Sequence, residues 1–204
     1  MADHFYRPSE GHRLAHDPFN AIVAPRPIGW ISTVSADGVR NLAPYSFFNA
    51  FNYQPPIVGF ASLGFKHTVA NIAATGEFTW NLVTRPQAEQ MNATSATVRP
   101  EIDEFDLAGL GAIGSQEVRP ERVEGVPVAF ECVLTQLVQL HDRHGARVET
   151  WLVLGEVVGI HIDTDLLLDG VYQTAKAEPV LRGGGPTAYF QITEQNRFDM
   201  VRPP

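Results

Sequence analysis

Asn41-Leu-Ala-Pro-Tyr-Ser-Phe-Phe-Asn49 is the stretch around which the rest of the chain is organised. It follows a strand-like run and a turn, and it leads into the extended apolar segment 56–62. Ala43 and Pro44 let the backbone come close, Ser46 offers a hydroxyl, and the aromatic residues offer faces and edges. This mixture suits a wall against which a flat aromatic ligand lies. On this stretch alone a buried strand and its turn is the better explanation, so the case for a ligand depends on the neighbouring segments.

The segment before this stretch predicts the first hairpin. Residues 25–34 read as a proline-stiffened entry followed by a strand, because the side chains alternate between two faces. Asp37-Gly38 is a hairpin turn signal. Residues 39–43 therefore run back antiparallel, and Ser32 and Thr33 become candidate hydrogen-bonding groups beside the central stretch.

The segment after it predicts a helix start with anion-binding chemistry. Residues 64–76 favour a short helix with Thr68 as its cap and Gly76 as its stop. Lys66, His67 and Thr68 then precede or open the helix, where backbone N–H groups, a hydroxyl and a cation converge as they do around a phosphate. An ordinary capped surface helix with a solvated lysine explains the same local pattern.

The remaining chain predicts a mainly β fold. Strand-like runs cover residues 57–62, 77–83, 128–140 and 150–162, a proline opens a short helix at 86–93, and the irregular segment 97–124 is anchored by Phe105. Many antiparallel strands with only short helices indicate a closed or nearly closed β-barrel. We expect one domain over residues 1–204, with residues 1–20 as an irregular arm.

Composition narrows the class of protein. The 204 residues are 44% apolar and 19% charged, which is ordinary for a globular chain. The net charge of −8 argues against a nucleic-acid binder. No run is apolar enough to span a bilayer, and the first residues lack a secretory signal pattern. The single Cys132 excludes an intrachain disulfide and fits a reducing cytoplasm.

The catalytic and metal motifs that the chain resembles in part are rejected. Residues 109–114 match G-x-G-x-x-G, but no buried strand precedes them and prolines interrupt the segment after them. The loop 182–186 lacks the Lys-Ser/Thr of a P-loop, and Ser46 has no evident histidine and acid companions. The histidines are not spaced as zinc ligands, so no metal site is predicted. Because no catalytic side chain stands out, the pattern fits a protein whose chemistry belongs to a bound cofactor.

Several motifs, taken in order, resemble the flavin reductase-like family of FMN-binding split β-barrels, in the branch of flavoredoxin and the reductase components of two-component monooxygenases. The matching pieces are Arg26-Pro-Ile-Gly-Trp-Ile-Ser-Thr33, the stretch 41–49, Pro55-Pro56, Lys66-His-Thr68 and Gly76-Glu-Phe-Thr-Trp-Asn81, with weaker matches at 91–92, 104–105, 131–132, 155–157 and 182–184. They run from about residue 20 to about residue 190. Each motif alone is unspecific, whereas the ordered set is strong.

The resemblance implies a Greek-key FMN-binding split β-barrel with short flanking helices, a homodimer, and one FMN per subunit near the dimer interface. The residues that it implies for cofactor binding are Trp30, Ser32, Thr33, Ala43, Pro44, Tyr45, Ser46, Phe47, Asn49, Ser62, Lys66, His67 and Thr68. Lys66 and Thr68 would hold the phosphate, and Trp30 or Tyr45 would shield one face of the ring. Many relatives carry an acidic residue at the position of His67.

The function implied is that of an FMN-dependent NAD(P)H oxidoreductase, a flavin reductase that passes electrons to a monooxygenase or another acceptor. NADH or NADPH would be the co-substrate. The alternative is a flavoredoxin-like electron carrier that binds FMN and never meets nicotinamide. A barrel that binds another small anion or aromatic molecule is the third possibility.

Overall fold

Residues 2–203 are described by the computed structural model, and they form fourteen strands and four α-helices. The strands are β1 (Arg26–Pro27), β2 (Gly29–Val34), β3 (Arg40–Tyr45), β4 (Phe48–Asn52), β5 (Ile57–Leu63), β6 (Glu77–Asn81), β7 (Ala112–Ile113), β8 (Arg122–Val123), β9 (Val128–His141), β10 (Arg147–Ile162), β11 (Leu167–Leu168), β12 (Val171–Tyr172), β13 (Val180–Arg182) and β14 (Tyr189–Gln191). The helices are α1 (Phe19–Ile22), α2 (His67–Thr75), α3 (Ala88–Ala93) and α4 (Glu104–Leu107).

Seven strands make one antiparallel sheet in the order β3-β2-β6-β9-β10-β5-β4. The sheet curls into a half-barrel whose two edge strands, β3 and β4, follow each other in the chain through the turn at 46–47. A second sheet of three short strands, β1-β13-β14, joins the segment that enters the barrel to the last part of the chain. The predicted mainly β fold is confirmed.

The hairpin predicted at Asp37-Gly38 is present. Gly38 has φ of 86° and its N–H bonds to the carbonyl of Ser35, so the turn needs the left-handed conformation that glycine tolerates. The pairing places Ser32 opposite Leu42. The hairpin thereby delivers the central stretch to the free edge of the sheet.

Two hydrophobic clusters pack on the two faces of this sheet. Inside the curl lie Phe60, Phe78 and Val153, all fully buried. On the outer face Trp30 packs with Phe105, which confirms Phe105 as the anchor of the irregular segment. Segment 88–126 therefore covers one face of the sheet, and the β2 side chains on that face are buried beneath it.

Helix α2 follows the prediction except at its start. Gly76 ends it in the left-handed conformation, with φ of 75° and its N–H bonded to the carbonyl of Ile72. The predicted cap at Thr68 is wrong, because Lys66 is the capping residue and Thr68 lies within the first turn. The Thr68 side chain bonds across to β3 instead of to its own helix.

The G-x-G-x-x-G match at residues 109–114 contains only the short strand β7 and opens no helix, in agreement with the rejection of a dinucleotide motif there. Among the helices of residues 2–203, none has both the length and the apolar character needed to cross a bilayer.

Candidate functional site

A cleft of about 390 Å³ lies where the free edge of β3 faces the start of α2. It brings together six of the residues predicted to bind a cofactor, namely Ala43, Pro44, Tyr45, Lys66, His67 and Thr68. The loop 94–98 also lines the cleft. Two segments that are separated in sequence thus line one cleft.

The free edge of β3 forms one wall. Pro44 stands opposite Trp30 in the β2–β3 pairing. Proline has no backbone N–H to donate to a neighbouring strand. Pro44 fits in β3 because the backbone groups of every second residue, including 42 and 44, point away from β2. The N–H of Leu42 is bound by Oε2 of Glu104 at 3.0 Å. Side chains, and no further strand, therefore occupy this edge within residues 2–203.

The start of α2 forms the opposite wall. Lys66 is the N-cap in an extended conformation and its side chain makes no capping bond. The first-turn N–H groups have no partner inside the helix, and the first turn carries no acidic residue. Lys66 is exposed and His67 half-buried. A helix N-terminus with a flexible ammonium group beside it is suited to an anion such as phosphate.

Hydroxyl groups connect the two walls. The Thr68 hydroxyl donates to the side-chain oxygen of Asn41 at 3.3 Å. The Tyr45 hydroxyl lies against those of Thr68 and Ser62, and burial raises the pKa of Tyr45. Ser62 is fully buried and donates to the carbonyl of Gly64 at 2.8 Å. Ser62 therefore supports Tyr45 from behind and does not line the cleft.

Glu104 is a cleft residue that the sequence alone did not identify as functional. It is only 4% exposed, and burial raises the pKa of its carboxyl, with nearby Asp103 adding to the effect. The N–H of Leu42 and the charge of His67 act in the opposite direction. The signal available in the sequence was the Asp103-Glu104 pair before Phe105, but nothing there indicates a contact with β3.

Three of the predicted residues on β2 are buried behind the cleft. Trp30 is fully buried and donates its indole N–H to Oγ1 of Thr94 at 3.0 Å. Thr33 accepts a bond from the Asn71 side chain at 3.1 Å. The hydroxyl of Ser32 is buried without a hydrogen-bond partner among the described residues. Trp30 thus braces the 94–98 wall through Thr94 and presents no open face to the cleft.

The other predicted residues lie past the β3–β4 turn. Phe47 and Asn49 line a second cavity of about 560 Å³, which Arg26 and Phe51 also line. Ser46 lies at the turn, and its carbonyl accepts a bond from Nε of Arg26 at 3.0 Å. The predicted set is therefore spread over two cavities that meet at the turn.

Arg182 in β13 is hydrogen-bonded within the loop that follows it. Its guanidinium donates to the carbonyls of Gly185 and Pro186 at 2.8 and 3.1 Å and to that of Ala188 at 2.5 Å. It also lies over the ring of Tyr189 at 4.8 Å. The side chain shapes the glycine-rich loop 183–185.

Known proteins resemble this chain over most of its length. The family model described as Flavin reductase like domain matches residues 23–180. An uncharacterised protein of Aquifex aeolicus is 36% identical over 170 residues, which cover 80% of this chain and 83% of that protein.

Two solved structures extend the comparison to the fold. Nitrilotriacetate monooxygenase component B from Bacillus cereus is 26% identical with a TM-score of 0.87, covering 98% of this chain and 100% of its own. The Pseudomonas fluorescens 2-nitrobenzoate 2-nitroreductase NbaA is 27% identical with a TM-score of 0.79, covering 90% and 88%. These similarities confirm the predicted split β-barrel.

Proposed function

The chain belongs to the flavin reductase like family, and from that premise we propose that it is an FMN-dependent NAD(P)H oxidoreductase. It takes a hydride from NADH or NADPH and passes electrons to a monooxygenase component or another acceptor. The proposed setting is the cytoplasm. The observation that carries the proposal is the meeting of the α2 N-terminus with the Tyr45 end of β3 across one cleft.

The donor set fits FMN from its phosphate to its ring. The ammonium of Lys66, the imidazole of His67 and the first N–H groups of α2 suit a phosphate. Hydroxyl and amide groups along the cleft suit a polyhydroxylated chain, and the buried hydroxyl of Ser32 is an unused polar group behind it. The turn at 45–48 offers aromatic side chains and backbone amides to a flat heterocycle.

When bound, FMN supplies a ring that accepts a hydride from nicotinamide. The chain's own residues bind and orient it. The Tyr45 side chain is buried, and its hydroxyl lies against those of Ser62 and Thr68. Pro44 and the 94–98 loop line the cleft beside Tyr45. No side chain is assigned as a catalytic acid or base, since position and electrostatics are what the protein has to supply.

The proposed acceptor comes from a structural relative. The Bacillus cereus protein with a TM-score of 0.87 is named as a monooxygenase component. An analogous pairing, in which this chain delivers reduced flavin to a separate monooxygenase, is the partner that we propose. A second acceptor class, small nitroaromatic compounds, is suggested by the 27% identical nitroreductase.

We also propose a homodimer that covers the second cavity. Apolar side chains there are open to solvent, with Ile22 72% and Phe51 54% exposed. Exposed apolar patches of this kind mark interaction sites. Light scattering on the purified protein would measure the dimer directly, and a monomer at micromolar concentration would refute it.

The test is an absorbance spectrum of the purified protein with added FMN, followed by anaerobic addition of NADH and then NADPH. Flavin bands at about 370 and about 450 nm that bleach promptly are expected. Bands that persist with both nucleotides and bleach with dithionite would instead support an electron carrier. Failure to bind FMN at all would refute the flavin proposal.

A further inference from the structure

Arg26 in β1 joins three separate segments of the chain through backbone carbonyls. The residue is buried, with 8% exposed. Nε donates to the carbonyl of Ser46 at 3.0 Å, and Nη1 donates to those of Asn20 and Val23. Nη2 donates to the carbonyl of Gly183 at 3.4 Å. One guanidinium therefore connects the α1 segment, the β3–β4 turn and the glycine-rich loop.

This buried cation has no carboxylate partner among residues 2–203. Backbone carbonyls and the ring of Phe47 surround the guanidinium instead of a carboxylate. The ring centroid lies 5.5 Å from Cζ of Arg26. Burial, together with the charge of Arg182, lowers the pKa of Arg26. Burying a guanidinium without a carboxylate costs free energy, and here its bonds to carbonyls of three segments offset that cost and fix their geometry.

The segment that Arg26 holds is the turn where the two cavities meet. The carbonyl of Ser46 and the ring of Phe47 are both within its reach, and Tyr45 precedes them directly. We propose that Arg26 is a positioning residue that fixes the 45–48 turn and thereby sets the environment of the flavin ring. The second half of this inference rests on the proposed function.

The glycine-rich loop also packs against α1, next to the carbonyls that bind Arg26. A Cβ at Gly184 would lie 2.1 Å from Cβ of Ala21 and 2.3 Å from its Cα, so α1 packs directly on the loop. Asn20 and Val23, whose carbonyls bind Arg26, flank Ala21. A displacement of the loop is thus transmitted through α1 to the guanidinium and on to the turn.

The first experiment compares Arg26→Lys with Arg122→Lys. Lysine keeps the charge and loses the planar fork that reaches three directions at once. Arg122 is the control, because its half-buried guanidinium also donates to a backbone carbonyl, that of Gly114 at 2.9 Å, and this carbonyl belongs to none of the three segments that Arg26 joins. Hydrogen–deuterium exchange of the amides at 45–49 is measured without ligand. Dissociation constants for FMN and riboflavin, and the visible circular dichroism of bound FMN, are measured alongside.

For Arg26→Lys we expect amide exchange in the turn to accelerate and both dissociation constants to rise about tenfold together, as for one lost charge-assisted bond. The ratio of FMN to riboflavin affinity stays at the wild-type value, because the phosphate end is untouched. The visible circular dichroism changes, and Arg122→Lys resembles wild type in every measurement. Unchanged exchange and unchanged riboflavin affinity in a folded Arg26→Lys variant would overturn the inference.

A second pair of variants tests the link without altering Arg26. Gly184→Ala drives a methyl group into Ala21 and is expected to loosen the turn in the same way, whereas Gly114→Ala has open space and serves as its control. Equal exchange in both variants would overturn the link. If the wild-type protein binds neither flavin but the turn still exchanges faster in Arg26→Lys, the link is supported. Only the flavin proposal is then refuted.

Discussion

The hydroxyl of Thr68 donates a hydrogen bond to the side-chain oxygen of Asn41 at 3.3 Å, and this bond joins the first turn of α2 to the edge strand β3. Both side chains are buried, with 1% and 6% exposed. The bond therefore sets the separation of the two walls of the cleft. A helix start and a strand edge that are 27 residues apart in sequence become one surface through it.

Thr68→Val tests this bond with almost no change in shape. Because the Asn41 amide would be left unpaired in the interior, we expect the free energy of unfolding to fall by about 1–3 kcal/mol. Affinity for FMN should also fall, because the two walls of the cleft are no longer held at a fixed separation. Urea denaturation measures the first effect and flavin titration the second. Thr68→Ser keeps the hydroxyl and should stay close to wild type; a valine variant as stable as the serine variant would contradict the assignment.

Lys66→Ala tests the phosphate end of the cleft. One charge-assisted contact to a phosphate is worth about 1.5–3 kcal/mol, so FMN affinity should fall about 10- to 150-fold. Riboflavin affinity should not change, since riboflavin lacks the phosphate. Lys176→Ala is the matched control, because the Lys176 ammonium bonds to the carbonyl of Asp165 outside the cleft. Equal losses of affinity for FMN and riboflavin would show that Lys66 does not contact the phosphate.

The sequence allowed the walls of this site to be predicted, because each depends on local signals. Alternating side chains and the Asp37-Gly38 turn predicted the β2–β3 hairpin, and Gly76 predicted the end of α2. The edge position of β3 was not predicted, although Pro44 carried a hint of it, since proline in a strand favours an edge.

The depth of the side chains was not predictable from local pattern. Trp30 alternates as a strand residue should, yet it is sealed because Phe105 and its segment fold over that face of the sheet. Glu104 was missed as a site residue for the same reason. Its bond to Leu42 spans 62 positions, and no local rule connects an acidic residue before a short helix to the edge of a distant strand.

Glu104→Gln tests the carboxyl at the back of the cleft. Burial raises the pKa of Glu104, so the folded protein favours the protonated acid, and the stability this provides is lost as pH rises through the raised pKa. Glutamine keeps an acceptor for the N–H of Leu42. The variant should therefore gain stability relative to wild type on going from about pH 4 to about pH 7, and it should bind FMN more tightly at neutral pH. A constant stability difference across that range would show that Glu104 stays in one protonation state.

Glu131→Gln tests a buried carboxylate outside the cleft. The Glu131 side chain is fully buried and accepts backbone N–H groups from residues 116–118, and Nε2 of His161 lies 2.5 Å from it. Burial opposes the charge, but these bonds prevail and lower the pKa of Glu131. The stability that the carboxylate provides is therefore present at neutral pH and lost as pH falls through the lowered pKa.

The amide NH2 of glutamine would face the backbone N–H groups that now bind the carboxylate. We therefore expect the free energy of unfolding to fall by about 3 kcal/mol at neutral pH. The loss should shrink toward acid pH, because wild-type Glu131 then also becomes neutral. Chemical denaturation at several pH values measures both. Glu117→Gln is the control, since that residue offers only its backbone N–H to Glu131 and its side chain is exposed. A loss that does not depend on pH would assign the effect to packing and not to charge.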